Sequence, residues 1–169
     1  MKVLGVTGWS GSGKTTLLIH LIPELISRGL RVSTVKHAHH VFDIDKPGKD
    51  SYLHRESGAG EVLISSAARW ALLHENRETP EPGLDDLIGH MTPVDLILVE
   101  GFKAEGHAKL EVHRRGVDKP LLCRDDATFI ALAADYQPGD LDLPVLDLND
   151  IQAIADFVIR YCRSEERAA

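Results

Sequence analysis

The chain has 169 residues, enough for one ordinary domain with a sizeable core. Its 43% hydrophobic and 27% charged residues exclude a disordered composition. The formal net charge of −7 argues against a general nucleic-acid or membrane-surface binder, so any polyanion must meet a local basic site. Cys123 and Cys162 are far apart and form no CxxC pair, which predicts a reducing, cytoplasmic setting without a disulfide framework. No charged-then-apolar leader opens the sequence, and its apolar runs are too short to span a bilayer.

Residues 2–8, KVLGVTG, carry β-branched residues and end in glycine, which predicts a strand. Leu17, Leu18, Leu21, Ile22, Leu25 and Ile26 then follow helical spacing, closed by Gly29 at the C-terminal cap. Pro23 lies inside that stripe, so a kink or a lost hydrogen bond is expected rather than a helix end. RVSTVKH, 31–37, reads as a second strand, followed by a long polar loop and a short helix over 51–57. EVLISS (61–66) and RWALLHE (69–75) read as two strands joined by a tight turn. NRETPEPG (76–83) is the most loop-like segment, with a short helix, LDDLIGHM, after it.

VDLILVEG, 94–101, is an almost unbroken apolar run, the pattern of a central strand buried on both faces. AKLEVHR (108–114), TFIALAAD (128–135) and the short LPVLDL (143–148) complete the strands. A last helix runs from about 150 to 163 on Ile151, Ile154, Ala155, Val158 and Cys162, with a frayed tail, RSEERAA. Strands separated by helices predict an α/β fold: a mostly parallel sheet with helices on both faces and an antiparallel excursion in the middle. Ligands of such sheets gather at the carboxyl ends of the strands.

That is where the strongest motif falls. GWSGSGKT, Gly8 to Thr15, satisfies G-x-x-x-x-G-K-[ST], between a strand and a helix. Gly8, Gly11 and Gly13 let the backbone turn its N–H groups inward, and the following helix brings its positive end to a phosphate. Lys14 is the residue to bridge terminal phosphates and the Thr15 hydroxyl the one to ligate Mg²⁺. The acid such a cradle needs is Glu100, which follows four apolar residues and falls at the carboxyl end of its strand. Asp95, at the amino end of the same run, is expected to point away.

GWSGSGKTT (8–16), KHAHH (36–40), DKPGKDS (45–51), RWALL (69–73) and DLILVEGFK (95–103) together resemble the MobB family of molybdopterin-guanine dinucleotide biosynthesis adapter proteins. The resemblance runs in order from residue 3 to the last helix. It implies a P-loop NTPase-like fold, binding of GTP with Mg²⁺, weak GTPase activity and a homodimer. The implied partner is MobA, the nucleotidyltransferase that joins GMP to molybdopterin. Carried onto this sequence, the nucleotide-binding residues are Gly8, Trp9, Ser10, Gly11, Ser12, Gly13, Lys14, Thr15 and Thr16, with Thr15 and Glu100 at the metal. Asp135, closing TFIALAAD, is positioned to accept from the guanine base, although no N-K-x-D is present.

The stretch KHAHHVFDIDKPGKDS, 36–51, admits three readings. His37 and His39 share a face if the strand continues and His40 opposes them, which could form part of a transition-metal site. Alternatively the loop leaves its strand beside the cradle, where Asp43 or Asp45 reaches Mg²⁺ through a water, Asp45 being the assigned ligand. Lys36, His37, Lys46 and Lys49 then offer charge to a second anion, with Pro47-Gly48 turning Lys46 and Lys49 together. The third reading is an ordinary solvated loop. Two other functions share the cradle: a small-molecule kinase with Arg77 on a short lid, and a metallochaperone GTPase using the histidines. Whether molybdopterin touches this chain or only its partner is not encoded in any motif.

Overall fold

A computed structural model describes residues 1–38 and 42–164. The chain divides into two compact units, residues 1–37 with 92–169, and residues 38–91. The expected tail, 165–169, and His39, His40 and Val41 lie outside the described residues.

The first unit is built on a six-stranded sheet whose strand pairs are all parallel. Its strands are β1 (Lys2–Thr7), β2 (Val32–Lys36), β5 (Leu96–Glu100), β6 (Lys109–His113), β7 (Phe129–Ala134) and β8 (Val145–Asp147), in the spatial order β2-β5-β1-β6-β7-β8. The apolar run 94–101 is therefore a central strand, as its composition demands; Leu96, Ile97, Leu98 and Val99 are all fully buried. Alternate residues of the strands, Leu4, Val6, Leu98, Leu110 and Val112, face helices α1 (Lys14–Ser27) and α4 (Ile151–Arg163). Helix α1 contributes Leu17, Leu18, Leu21 and Leu25, and α4 contributes Ile154, Ala155 and Val158. Pro23 stays inside α1, because the stripe Leu17–Leu25 holds the helix against the sheet on both sides of it. Arg28 and Gly29 close α1, Gly29 with φ of +92°.

The opposite face near β7 packs on a 3-10 turn, Leu122–Arg124: Leu121 and Cys123 meet Phe129, Leu132 and Ala134. Three polar residues on β6 point to this side and are buried: Lys109, Glu111 and His113. Each has partners. Lys109 Nζ donates to Thr128 Oγ1 at 2.7 Å and Asp126 Oδ2 at 3.1 Å. Glu111 accepts from the amides of Leu122 and Cys123 at 3.0 and 2.8 Å, and His113 lies 3.0 Å from Lys119 O and 2.9 Å from the Tyr136 hydroxyl. Burial, with Glu111 beside it, pushes the Cys123 thiol up to about 12. Cys123 and Cys162 are free thiols.

The second unit contains α2 (Asp50–Glu56), the antiparallel pair β3 (Glu61–Ser65) and β4 (Trp70–His74), and α3 (Leu84–Gly89). The excursion expected from the sequence is this hairpin. Arg55 on α2 ties the unit together: its guanidinium donates to Asp43 Oδ1 at 3.1 Å and to Asp45 Oδ1 at 3.2 Å, and Glu75 lies 3.7 Å away. Among the described residues no helix is long and apolar enough to cross a membrane.

Candidate functional site

The cradle grows directly out of β1. The strand ends at Thr7, the loop spans Gly8 to Gly13, and α1 begins at Lys14. Gly8 is obligatory by close approach, since a Cβ there would collide with the carbonyl oxygen of Val112 on β6. Gly13 occupies the N-cap of α1 with φ of +99°, a left-handed conformation that L side chains rarely adopt, and provides no side-chain cap. No acid stands in the first turn of α1. The amides of Lys14, Thr15 and Thr16 therefore have neither an intrahelical partner nor a neighbouring carboxylate of that turn to neutralise the helix end. A phosphate fits such a helix end.

Lys14 arches across the loop, its Nζ donating to Gly8 O at 3.1 Å and Trp9 O at 2.9 Å. Burial lowers its pKa, Glu100 opposes that shift, and the neighbouring ammonium groups of Lys103 and Lys36 add to it. Thr15 Oγ1 donates to Glu100 Oε1 at 3.4 Å, across 85 positions of sequence. Register explains the meeting: Glu100 pairs with Val6 of β1 on one side and Lys36 of β2 on the other, at the carboxyl end of the sheet. Lys36 Nζ lies 3.9 Å from Glu100 Oε2. A hydroxyl and a carboxylate side by side are hard oxygen donors of the kind Mg²⁺ takes, so the pair fits that ion. Asp95, at the other end of β5, is bound instead by Arg31, at 2.9 Å through Nη2 and 2.7 Å through the Arg31 amide.

Two cations of the site, Lys119 and Arg114, carried no motif. Trp9 donates from Nε1 to Pro120 O at 2.8 Å, and its ring is flanked by Lys103 Nζ at 5.1 Å and Lys119 Nζ at 5.9 Å. Arg114, just past β6, lies against Gly13: the Cβ position of that glycine is 2.9 Å from Arg114 Nε. Lys14, Lys36, Lys103, Lys119 and Arg114 thus gather around one loop of a chain with net charge −7. The available signal was position, since Arg114 follows the carboxyl end of a strand. Asp135 directly follows β7; its Oδ1 accepts from Arg115 N at 2.8 Å and its Oδ2 lies 3.6 Å from Arg114 Nη1.

The residues of the 36–51 stretch divide between the units. Lys36 ends β2, and His37 stacks on Phe102 at a centroid distance of 4.8 Å in the first unit. Asp45, Lys46 and Lys49 belong to the second. There Lys49 N donates to Lys46 O at 3.1 Å, closing the Pro47-Gly48 turn between the two lysines. The Asp45 carboxylate is buried and takes both Nε and Nη2 of Arg55. Arg77 donates to the carbonyls of Arg55 and Ala59 at 3.1 and 2.9 Å. Among the described residues no three of His, Cys, Asp and Glu converge as metal ligands; His39 and His40 are outside them.

Residues 3–135 match the family model of MobB, molybdopterin guanine dinucleotide synthesis protein B. The chain is 45% identical over 168 residues to the molybdopterin-guanine dinucleotide biosynthesis adapter protein of Escherichia coli, covering 98% of this chain and 95% of that protein. The adapter protein of Haemophilus influenzae is 46% identical over 161 residues, 94% of this chain and 88% of that one. Among solved structures, a MobB protein homolog from Bacillus stearothermophilus superposes with a TM-score of 0.73 at 27% identity, covering 98% of this chain and 100% of that one. With the cradle, the Thr15–Glu100 pair and the all-parallel sheet, these likenesses give one conclusion: the chain belongs to the MobB family.

Proposed function

We propose that this protein is a GTP-binding adapter that assists the MobA nucleotidyltransferase in attaching GMP to molybdopterin. The observation that carries the reading is the Thr15–Glu100 pair at the mouth of an uncapped, acid-free helix N-terminus. In this reading Gly8 to Thr16 hold the phosphates, Lys14 neutralises the terminal ones, and Thr15 and Glu100 hold Mg²⁺. The ion, when bound, supplies charge neutralisation across the β- and γ-phosphates. Asp135 faces the guanine, a carboxylate having about four acceptor positions of which Arg115 N occupies one.

Hydrolysis is slow in this reading. The two glutamines of the sequence, Gln137 and Gln152, follow β7 and open α4, and neither is on a segment leaving β1, β2 or β5 to orient water at a terminal phosphate. The protein acts as a homodimer, for which the β3–β4 hairpin is the suited surface. Leu63 and Leu72 are cross-strand partners and both exposed, with Trp70 65% exposed on the same hairpin. A two-stranded sheet is marginal on its own and gains from a second one. Free thiols at Cys123 and Cys162 accord with a cytoplasmic location.

The decisive measurement is calorimetry of Mg-GTP and Mg-ATP with the wild type and Lys14→Ala. Tight GTP binding that vanishes in the variant is expected; retained affinity would refute the site. Retention on MobA in a pull-down, strengthened by GTP and molybdopterin, tests the adapter role, whereas pterin phosphorylation under Mg-ATP would favour the kinase.

A further inference from the structure

The chain leaves the acid end of β5 in a conformation that a bulky residue rarely adopts. Gly101 has φ of +105° and Phe102 φ of +49°, the second a strained value for a phenylalanine. Neighbours hold the bend in place. His37 N donates to Glu100 O at 2.8 Å, the His37 ring packs on Phe102 at 4.8 Å, and a Cβ on Gly101 would collide with the Cβ of His37. Glu105 N then donates to Phe102 O at 3.2 Å, closing a tight turn with Lys103 at its first corner. The bend thereby delivers an ammonium to the phosphate loop. Lys103 Nζ lies 5.1 Å from the centroid of the Trp9 ring, while Lys14 Nζ donates to the carbonyl of the same tryptophan at 2.9 Å. Burial first, then Lys103 and Lys36, hold the Lys14 ammonium below its ordinary pKa, against the opposing pull of Glu100. Lys36 has Glu100 Oε2 at 3.9 Å. Among the described residues Lys103 has no carboxylate or hydrogen-bond partner, only the face of the indole. Three ammonium groups thus share one carboxylate, an excess of positive charge that a multiply charged anion relieves.

We propose that Lys103 is a second cation for the γ-phosphate, leaving the Trp9 ring for the terminal phosphoryl group, so that the loop distinguishes a nucleoside triphosphate from a diphosphate. The inference rests on the nucleotide-binding reading above and adds a residue outside the phosphate-loop motif. In that reading Lys14 serves the terminal phosphates, and Lys103 is the unpaired charge that acts on Lys14. Its turn fixes the backbone, and the flexible four-carbon stem lets the ammonium exchange an exposed indole face for a phosphate oxygen. The exchange favours the phosphate, because a charge-assisted hydrogen bond to a dianion outweighs an exposed cation–π contact. A diphosphate lacks that group, and the ammonium stays on the ring.

Calorimetry with Mg-GDP and a non-hydrolysable Mg-GTP analogue on wild type, Lys103→Ala and Lys103→Arg, all at one ionic strength, tests this. Loss of one charge-assisted contact at the terminal phosphate predicts about tenfold weaker binding of the triphosphate by Lys103→Ala, with the diphosphate changed by less than about twofold. Lys103→Arg keeps the charge and should restore most of the lost affinity. A triphosphate-to-diphosphate affinity ratio in Lys103→Ala within about twofold of the wild type's would overturn the proposal, whether both affinities stay or both fall together, since a diffuse field weakens both. An arginine variant as weak as the alanine one would overturn it too, by showing that charge is not what was lost. A wild type that binds neither nucleotide refutes the underlying reading, whereas wild-type discrimination without Lys103 refutes this proposal alone. Should the alanine variant melt early, Lys103→Gln, judged by the same ratio, replaces it.

Discussion

Thr15 Oγ1 lies 3.4 Å from Glu100 Oε1, joining the first turn of the first helix to the end of the central strand β5. A hydroxyl and a carboxylate so placed share one cation more readily than they serve each other at that length. Glu100→Gln keeps the shape and removes the charge. Its expected effect is selective: GTP binding without Mg²⁺ is retained, while the strengthening that Mg²⁺ gives the wild type falls by at least tenfold. A titration of GTP affinity against Mg²⁺ concentration reads this directly, and an unchanged Mg²⁺ dependence would remove Glu100 from the metal site.

Trp9 provides an optical report on the same loop. Its ring is flanked by Lys103 and Lys119, cations that bound phosphates would draw away. Trp70 is the other tryptophan of the sequence, so Trp70→Phe leaves Trp9 as the sole indole. In that background Mg-GTP should change the fluorescence saturably, with the midpoint found by calorimetry, and Lys14→Ala should abolish the change. Binding seen by calorimetry with a silent indole would show that nucleotide does not reach Trp9 or its cations.

Asp95 gives a pH-dependent contribution far from the cradle. The Arg31 guanidinium, with the Arg31 amide, holds its carboxyl down to about 2, from an ordinary value of 3.8. A folded-state pKa below the unfolded one contributes stability that is fully present above the unfolded value and lost as pH falls through the folded one. The window is thus from about pH 4 down to about 2. Asp95→Asn should melt below the wild type at pH 7, and the gap should shrink steadily across that window. A gap of constant size from pH 7 to 2.5 would show that the ion pair contributes nothing.

The hairpin prediction concerns assembly. Leu72→Glu places a charge on the exposed strand face opposite Leu63, within the second unit. Light scattering behind size exclusion should find the wild type at twice the chain mass and the variant at one chain, with GTP affinity kept within about threefold. A dimer in both would locate the interface elsewhere.

The parts legible in the sequence were those in which chemistry dictates residue type over a short span. Gly8 to Thr15 is such a span, and so is the apolar run ending in Glu100, whose type and length announce a buried strand with an acid at its end. Strand β6 was legible as a strand and opaque in its burial. Lys109, Glu111 and His113 alternate with Leu110 and Val112, which by periodicity alone puts the polar three in water. They are buried because residues 119–128 fold back over that face with a matching partner for each. That complementarity lies in pairs separated along the chain, which no local pattern displays. The same holds for Arg114, whose neighbours Gly13 and Asp135 are about 100 and about 20 positions away.

The order β2-β5-β1 has a consequence for how the molecule is made. The first two strands to leave the ribosome are not neighbours, and the place between them stays open until β5 is synthesised, after the whole second unit. Pairing of this kind depends on contacts distant in sequence and is slow for that reason. A nascent chain stopped before residue 96 holds the glycine loop and Lys14 but neither Glu100 nor the strand that joins β1 to β2. In the reading proposed above, the Mg²⁺ site would therefore be acquired late and at one stroke, when β5 slots into place. On that reading, metal-dependent nucleotide capture would serve as a certificate of completed assembly.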